Sequence, residues 1–311
     1  MRLAGLSVDV DSVASHLEGY GFERPADDGA AYRLAVPRAL EVFARFGARA
    51  TFFLIGEEAE RHPEVVRELA RCGHEVASHS MTHRLPFTDL DAARCRREVY
   101  DSKALLESLA GRPVTGFRAP SWDLSPALFA ALADAGYRYD ASTYPSILLP
   151  LLRLAVSRRS SVGRTRTGSS IWAGAFGPTG LHARRVADRV LIEVPMCTAP
   201  WTRLPYYHTM RFVAPAPLFA LIGRLARARR GPICYQFHAA DFLDVERDGL
   251  DARITRHPGM TLPLERKLAL AERALRELAT RRRVVPLGDV VEHEFAWAGV
   301  GAPLSPMELT S

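Results

Sequence analysis

Short runs rich in β-branched and aromatic residues alternate along this chain with longer stretches whose apolar positions recur every three to four residues. LAGLSVDV (3–10) predicts a strand. LAVPRALEVFARFG (34–47) follows as a helix, with Val36, Leu40 and Phe43 at helical spacing and Gly47 as its stop signal. The cadence then repeats: strand ATFFLIG (50–56), helix 57–73 closing at Gly73, strand HEVAS (74–78), then a helix over 88–110. That helix opens on the Thr88/Asp91 capping spacing and closes at Gly111. Strand VTGFRA (114–119), helix SPALFAALADAG (125–136) with Pro126 in its first turn, and strand YRYDAS (137–142) complete the first half. Further strands are predicted at 191–196, 232–238 and 284–288, with a long helix over 263–282. Strand–helix alternation of this kind predicts an α/β fold with a mainly parallel sheet and helices outside it, either a barrel or a doubly wound sheet.

Composition adds bounds to this picture. A chain of 311 residues, 48% hydrophobic and 24% charged, can bury a substantial core and is not of disordered composition. We expect one catalytic domain over 1–295, with an insertion around 144–232, and a loose tail over 296–311. Cys72, Cys95, Cys197 and Cys234 show no C-x-x-C spacing, which points to a reduced compartment rather than a disulfide or cysteine–zinc framework. The start, MRLAGLSVDVDS, reaches aspartates before a signal-peptide core can form, and no run approaches the length of a membrane span. The expectation is therefore a cytoplasmic protein. The net charge of +6 is concentrated in arginine clusters within 153–166, 184–189, 224–230 and 281–283. No nucleic-acid recognition motif accompanies them, and no protein partner is indicated.

Polar residues capable of chemistry sit where the predicted strands end, which is where parallel α/β folds collect their catalytic groups. Asp9 and Asp11 are two apart on one strand and so share a face. His79 and His83 follow the third strand, Arg118 lies at the end of the fourth, Asp140 in the fifth and His238 on a later one. Taken singly, each has an ordinary reading as a helix cap or a satisfied core histidine. Taken together, two imidazoles and a carboxylate form a common donor set for a catalytic zinc ion. A second carboxylate beside an arginine suits a base, and a separate histidine suits proton donation to a leaving nitrogen.

These residues resemble the motifs of the polysaccharide deacetylases, the fourth family of carbohydrate esterases. SVDVDS (7–12), GHEVASHSMTH (73–83), GFRAPSW (116–122), GYRYDAST (136–143) and CYQFHAADF (234–242) are similar to that family's motifs and come in its order. The resemblance implies a distorted, incomplete (β/α) barrel. It implies Asp11, His79 and His83 as ligands of a divalent metal, most often Zn2+, with Co2+, Mn2+ or Ni2+ as alternatives. It implies Asp9 as the base, Arg118 as the group that orients it, and the backbone N–H of Ser121 as an oxyanion donor. His238 is then the acid, with Asp140 tuning its charge. Val10 separates aspartates that are adjacent in the usual first motif, so base and ligand are exchangeable between Asp9 and Asp11. Ala119 and Ser121 replace a proline and an aromatic residue of the usual third motif, and the fourth lacks its tryptophan.

The expected substrate is an N-acylated amino sugar. The Asp-Val-Asp start resembles cytoplasmic deacylases of lipid-linked amino sugars more than secreted chitin or peptidoglycan enzymes. Segments 144–161 and 213–231 each run from apolar residues into arginines, the pattern of a surface lying on an anionic membrane. Both also read as ordinary helices with buried apolar faces. Trp122, Tyr206, Tyr207 and His208 are candidate sugar contacts, and the last three equally fit an aromatic core strand. Rival functions are hydrolysis of a small cyclic amide and a catalytically silent binder of glycan or anionic lipid.

Overall fold

The computed structural model describes residues 2–26, 28–84, 86–151 and 174–295. Its centre is β1 (Arg2–Val10), buried throughout except at Arg2. That burial explains a near-continuous apolar run, since a strand inside a parallel sheet is covered on both faces. β2 (Thr51–Leu54), β3 (Glu75–Ser78), β4 (Gly116–Phe117) and β5 (Tyr139–Asp140) extend the sheet to one side. Beyond them lies the hairpin β6 (His182–Val186) and β7 (Arg189–Glu193), and β8 (Ile233–His238) pairs with the other edge of β1. The order is β6-β7-β5-β4-β3-β2-β1-β8, and only β6/β7 is antiparallel. β9 (Arg282–Val285) pairs with Arg2–Gly5, leaving Ser7–Val10 to β2.

Strands β7 and β8 do not pair, so the sheet curls into an incomplete (β/α) barrel, as the motifs imply. Residues 196–208 span that seam. Met196 N–H donates to Thr143 O at 2.8 Å, Tyr206 N–H to Cys197 O at 2.8 Å, and His208 N–H to Gln236 O at 2.9 Å. β6 and β7, which fall within the stretch expected as an insertion, belong to the same sheet. The tail 296–311 and the arginine-ended part of 144–161 lie outside the described residues.

Several boundaries differ from expectation for identifiable reasons. The helix expected over 57–73 is two, α3 (Gly56–Arg61) and α4 (Pro63–Arg71). The Pro63 ring drives His62 to φ −129° and ψ 52° and ends α3 there. Asp91 rather than Thr88 caps α5 (Ala92–Ala110), accepting from Arg94 N–H at 2.8 Å. Alternating HARRV, read only as an arginine cluster, is β6. The last strand begins at Arg282, and Leu287–Phe295 is helical. α1 (Val13–Gly19), capped by Ser12, and a π-helical turn at Ala31–Ala35 ahead of α2 (Val36–Ala44) were not expected.

Rings from β2, α2, β8 and the turn after β8 form the aromatic centre of the core. Phe43 lies 6.2, 5.9 and 6.0 Å from Phe52, Phe237 and Phe242. Each such ring stabilises the fold by about 1.5–3 kcal/mol through burial. This packing fixes the strands whose far ends carry the polar residues, all at one rim. Asp9 is in register with Phe53 and His238, and Phe117 with Asp140.

Candidate metal and catalytic site

Ser7, Asp9 and Asp11 project to one side of β1 and its continuation, as period-two geometry requires. The two carboxylates meet different partners. Asp11 Oδ1 lies 3.1 Å from His79 Nε2 and 3.3 Å from His83 Nε2. One donor atom from each of the three residues falls within 4.8 Å of the others. His79 Nδ1 is 2.7 Å from Arg118 O, to which its N–H donates, so Nε2 is the nitrogen turned toward Asp11 and the one that can ligate a cation once it gives up its proton. Asp11 Oδ1 and His83 Nδ1 are buried without a hydrogen-bond partner. A carboxylate and two imidazoles converging in this way fit a divalent cation, whose charge would satisfy donors that otherwise face only one another.

The turn carrying His83 is held against backbone strain. Ser80 has φ 70° and His83 φ 55°, conformations costing about 1–3 kcal/mol each. Ser78 Oγ accepts from Ser80 N–H at 3.2 Å, and Ser80 Oγ from His83 N–H at 3.1 Å. Glu98 reaches in from α5 and accepts from Met81 and Thr82 N–H at 2.9 and 2.8 Å. Sequence reading missed Glu98 because nothing local marks a charged residue as the clamp of a distant turn.

Asp9 is engaged at both oxygens. Arg118 Nη1 donates to Oδ1 and to Ser7 Oγ, and Arg118 Nε donates to Ala141 O at 3.0 Å. Gln236 Nε2 donates to Asp9 Oδ2 at 2.6 Å and faces His238 Nε2 at 3.1 Å. His238 Nε2 lies 4.0 Å from Asp9 Oδ2, and its Nδ1 is 3.1 Å from Thr209 Oγ1. In this arrangement Nε2 accepts from the amide and Nδ1–H donates to the threonine. Gln236 was missed, although its position two residues before His238 puts both on one face of β8.

Electrostatics separate the groups further. Burial would raise the Asp11 pKa, but the His79 and His83 imidazoles beside it hold it well below the ordinary carboxylate range. Burial opposes charge on His79, yet the bond and charge of Asp11 raise its pKa above the ordinary histidine value. Asp140 is raised well above the carboxylate range by burial and by the nearby charge of Glu193.

Asp140 does not reach His238. Its carboxylate accepts from Ser142 Oγ at 2.5 Å and Ser142 N–H at 3.2 Å, and the same hydroxyl accepts from Ala119 N–H at 2.8 Å. The residues tied to the His238 ring are Thr209 and Gln236. Ser121 and Trp122 sit in the left-handed region at φ 54° and 52°, in the loop leaving β4. Trp122, Tyr144 and Tyr207 form an aromatic wall next to His238, with ring centroids 5.0 Å apart for Trp122–Tyr144 and 6.3 Å for Trp122–His238. Tyr206 and His208 are a correction to the expected sugar contacts, for both are fully buried. Tyr206 Oη accepts from Arg227 at 2.6 Å, and His208 packs 4.3 Å from Phe237 with Tyr235 Oη 3.2 Å from its Nδ1. Filling the seam between β7 and β8 puts them in the core.

A curled parallel sheet with these groups on its carboxyl rim is the fold shared with the solved structures to which this chain is similar. Residues 26–139 match the family model for polysaccharide deacetylase, a span holding His79, His83 and Arg118 but neither Asp9, Asp11 nor His238. Peptidoglycan deacetylase of Helicobacter pylori is 32% identical over 144 residues, 45% of this chain and 49% of that protein. A chitooligosaccharide deacetylase of Sinorhizobium fredii is 36% identical over 104 residues, 32% of this chain and 46% of that protein. The chain spans about half the length of the curated relatives it matches. Among solved structures, a candidate polysaccharide deacetylase from Mycobacterium smegmatis superposes with TM-score 0.60 at 21% identity, covering 94% of this chain and 90% of that one. Puue allantoinase superposes with TM-score 0.59 at 16% identity, covering 95% and 91%. The chain is similar to polysaccharide deacetylases over the matched residues, and its fold is that of the superposed structures.

Proposed function

We propose that this protein is a metal-dependent hydrolase that removes the acyl group from the nitrogen of an amino sugar. The observation that carries this reading is the division of labour between two carboxylates on one strand. Asp11 joins His79 and His83 in a donor cluster, while Asp9 lies between Arg118 and Gln236 with His238 just beyond. A divalent cation held by Asp11, His79 and His83, most often Zn2+, supplies a Lewis acid for the acyl oxygen and for water. Asp9 takes the proton of the attacking water, and the Arg118 guanidinium fixes its carboxylate and supplies the opposing charge. The backbone N–H of Ser121 would donate to the developing oxyanion. His238, once protonated, gives that proton to the departing nitrogen. Trp122 and Tyr207 supply the flat apolar surface that a sugar ring packs against.

The names of the curated relatives support an amino-sugar substrate, since those proteins act on peptidoglycan or chitooligosaccharide. A lipid-linked form of the sugar is the narrower part of the proposal. Helix Ala216–Ala228 exposes Leu218 and Leu221 along with Arg224, and Ile147, Leu151, Phe176 and Trp201 are exposed elsewhere. Apolar groups beside arginines suit peripheral contact with an anionic membrane. Among the described residues, no helix is long and apolar enough to cross a membrane.

The test is mass-spectrometric product detection with protein stripped of metal and reloaded with Zn2+, Co2+, Mn2+ or Ni2+. Substrates are N-acyl sugars, free and polyprenyl-phosphate-linked, with a cyclic ureide as control. Metal-dependent release of acid from a sugar is expected. Turnover of the ureide alone would replace the reading with cyclic-amide hydrolysis, and turnover of none by metal-loaded protein would leave a silent binder.

A further inference from the structure

The donor cluster uses one oxygen of Asp11 and leaves the other, and that second oxygen faces an imidazole with nothing else to bond. His16 Nε2 is 4.0 Å from Asp11 Oδ2, is buried, and has no hydrogen-bond partner. His16 stands on α1, one turn after the Ser12 cap that starts the helix immediately beyond Asp11. Its ring rests on His257 with centroids 4.4 Å apart. His257 is in turn fixed by Tyr20, whose Oη is 3.1 Å from His257 Nδ1 and which lies one helical turn after His16. The ring is thus held from behind and aimed at the carboxylate.

We infer that His16 is a positioning residue for Asp11: its Nε2–H donates to Oδ2 when Oδ1 engages a cation, so the carboxylate is gripped at both ends. The present separation exceeds a hydrogen bond by about 1 Å, within the reach of a small rotation of the carboxylate. An imidazole N–H on Nε2 is the donor that the facing oxygen can accept from. The same contact separates the two aspartates. Asp9 has both oxygens committed to Arg118 and Gln236, whereas Asp11 has one for the ligand cluster and one for His16. Partners that hold a ligating group typically contribute 10–100-fold to metal affinity.

This inference rests on Asp11, His79 and His83 holding the cation, and its test separates the two. Co2+ is titrated into stripped full-length protein, with affinity read by competition with a chromogenic chelator and site geometry by the visible absorption of bound Co2+. His16→Phe keeps a ring on His257 but removes the donor, and His16→Gln restores an N–H. Expected are about a 10–100-fold weaker affinity and an altered Co2+ band in His16→Phe, with partial recovery in His16→Gln. Unchanged affinity and spectrum in a folded His16→Phe overturn the positioning role while leaving the cluster standing. Retention of Co2+ by His79→Ala overturns the cluster itself. If His16→Phe does not melt cooperatively, His16→Gln and His16→Asn decide: equal wild-type affinity in both refutes the role, and graded loss supports it.

Discussion

Replacing Asp9 by Asn tests the base and distinguishes it from the ligand. Asp9 is 2% exposed, and its two oxygens accept from Arg118 and Gln236. The variant keeps one acceptor and gains two donor hydrogens, so one of those partners meets a donor. Gln236 can turn its amide over to present oxygen, but that oxygen also faces His238 Nε2 and forces the proton onto it. Arg118, 3% exposed, loses its counter-charge and keeps only neutral acceptors: the new amide oxygen, Ser7 Oγ and Ala141 O. Breaking a buried pair from one side costs about 3–5 kcal/mol, against a typical domain stability of about 5–15 kcal/mol. The protein should therefore fold with a clearly lowered melting temperature. Loss of a general base costs about 10²–10⁴-fold in turnover, or about 3–5 kcal/mol of barrier. Because the donor cluster is untouched, metal content should stay at the wild-type ratio. Asp9→Asn/Arg118→Met removes both charges and should regain much of the stability without regaining turnover. The measurements are kcat at saturating cation, elemental analysis and thermal melting. Turnover within about threefold of wild type in fully metallated Asp9→Asn would refute the assignment of base to Asp9. Loss of metal would exchange the roles of the two aspartates.

Three further outcomes are expected. His79→Ala should lose the cation, whereas His238→Ala should retain it while turnover falls by about 10²–10⁴-fold; elemental analysis beside kcat separates the two. Cation affinity should rise with pH, by at most about tenfold per unit, up to the raised His79 pKa, because Asp11 stabilises a proton on that ring in the metal-free protein that the cation must displace. A pH-independent affinity between pH 5 and 8 would contradict this. Asp140→Asn should keep most of its turnover, since its partner is Ser142. With a raised folded-state pKa, Asp140 supports the fold at pH values below its unfolded pKa and loses that contribution as pH rises toward the folded one. The variant's melting temperature relative to wild type should therefore be more favourable at pH 8 than at pH 5, and parallel profiles would count against it.

Exchangeability of Asp9 and Asp11, open in the sequence, is the clearest case of a question on which distant contacts bear. Both residues occupy equivalent positions on one strand, so no local pattern distinguishes them. Their different partners come from strands and loops separated from β1 by scores to hundreds of residues: His79 and His83, Arg118, Gln236. The short α1 carries His16 past the same point, and a seven-residue helix without clear amphipathic repetition gave no signal in advance.

What the sequence determined by itself was the alternation of elements and the identity of the rim. Parallel pairing places every strand's carboxyl end on one side, so aspartates, histidines and an arginine at predicted strand ends had to gather there. The period of two in β1 fixed the shared face of Ser7, Asp9 and Asp11. What only the tertiary structure decided was which neighbour each of these groups meets and which aromatic residues face the site. Tyr206, Tyr207 and His208 are consecutive and alike in chemistry. The closure of the seam between β7 and β8 buries Tyr206 and His208 in the core and turns Tyr207 toward Trp122 and His238. That choice depends on where two strands separated by dozens of residues fail to pair, and such long-range geometry leaves no local trace in the pattern of apolar and polar positions.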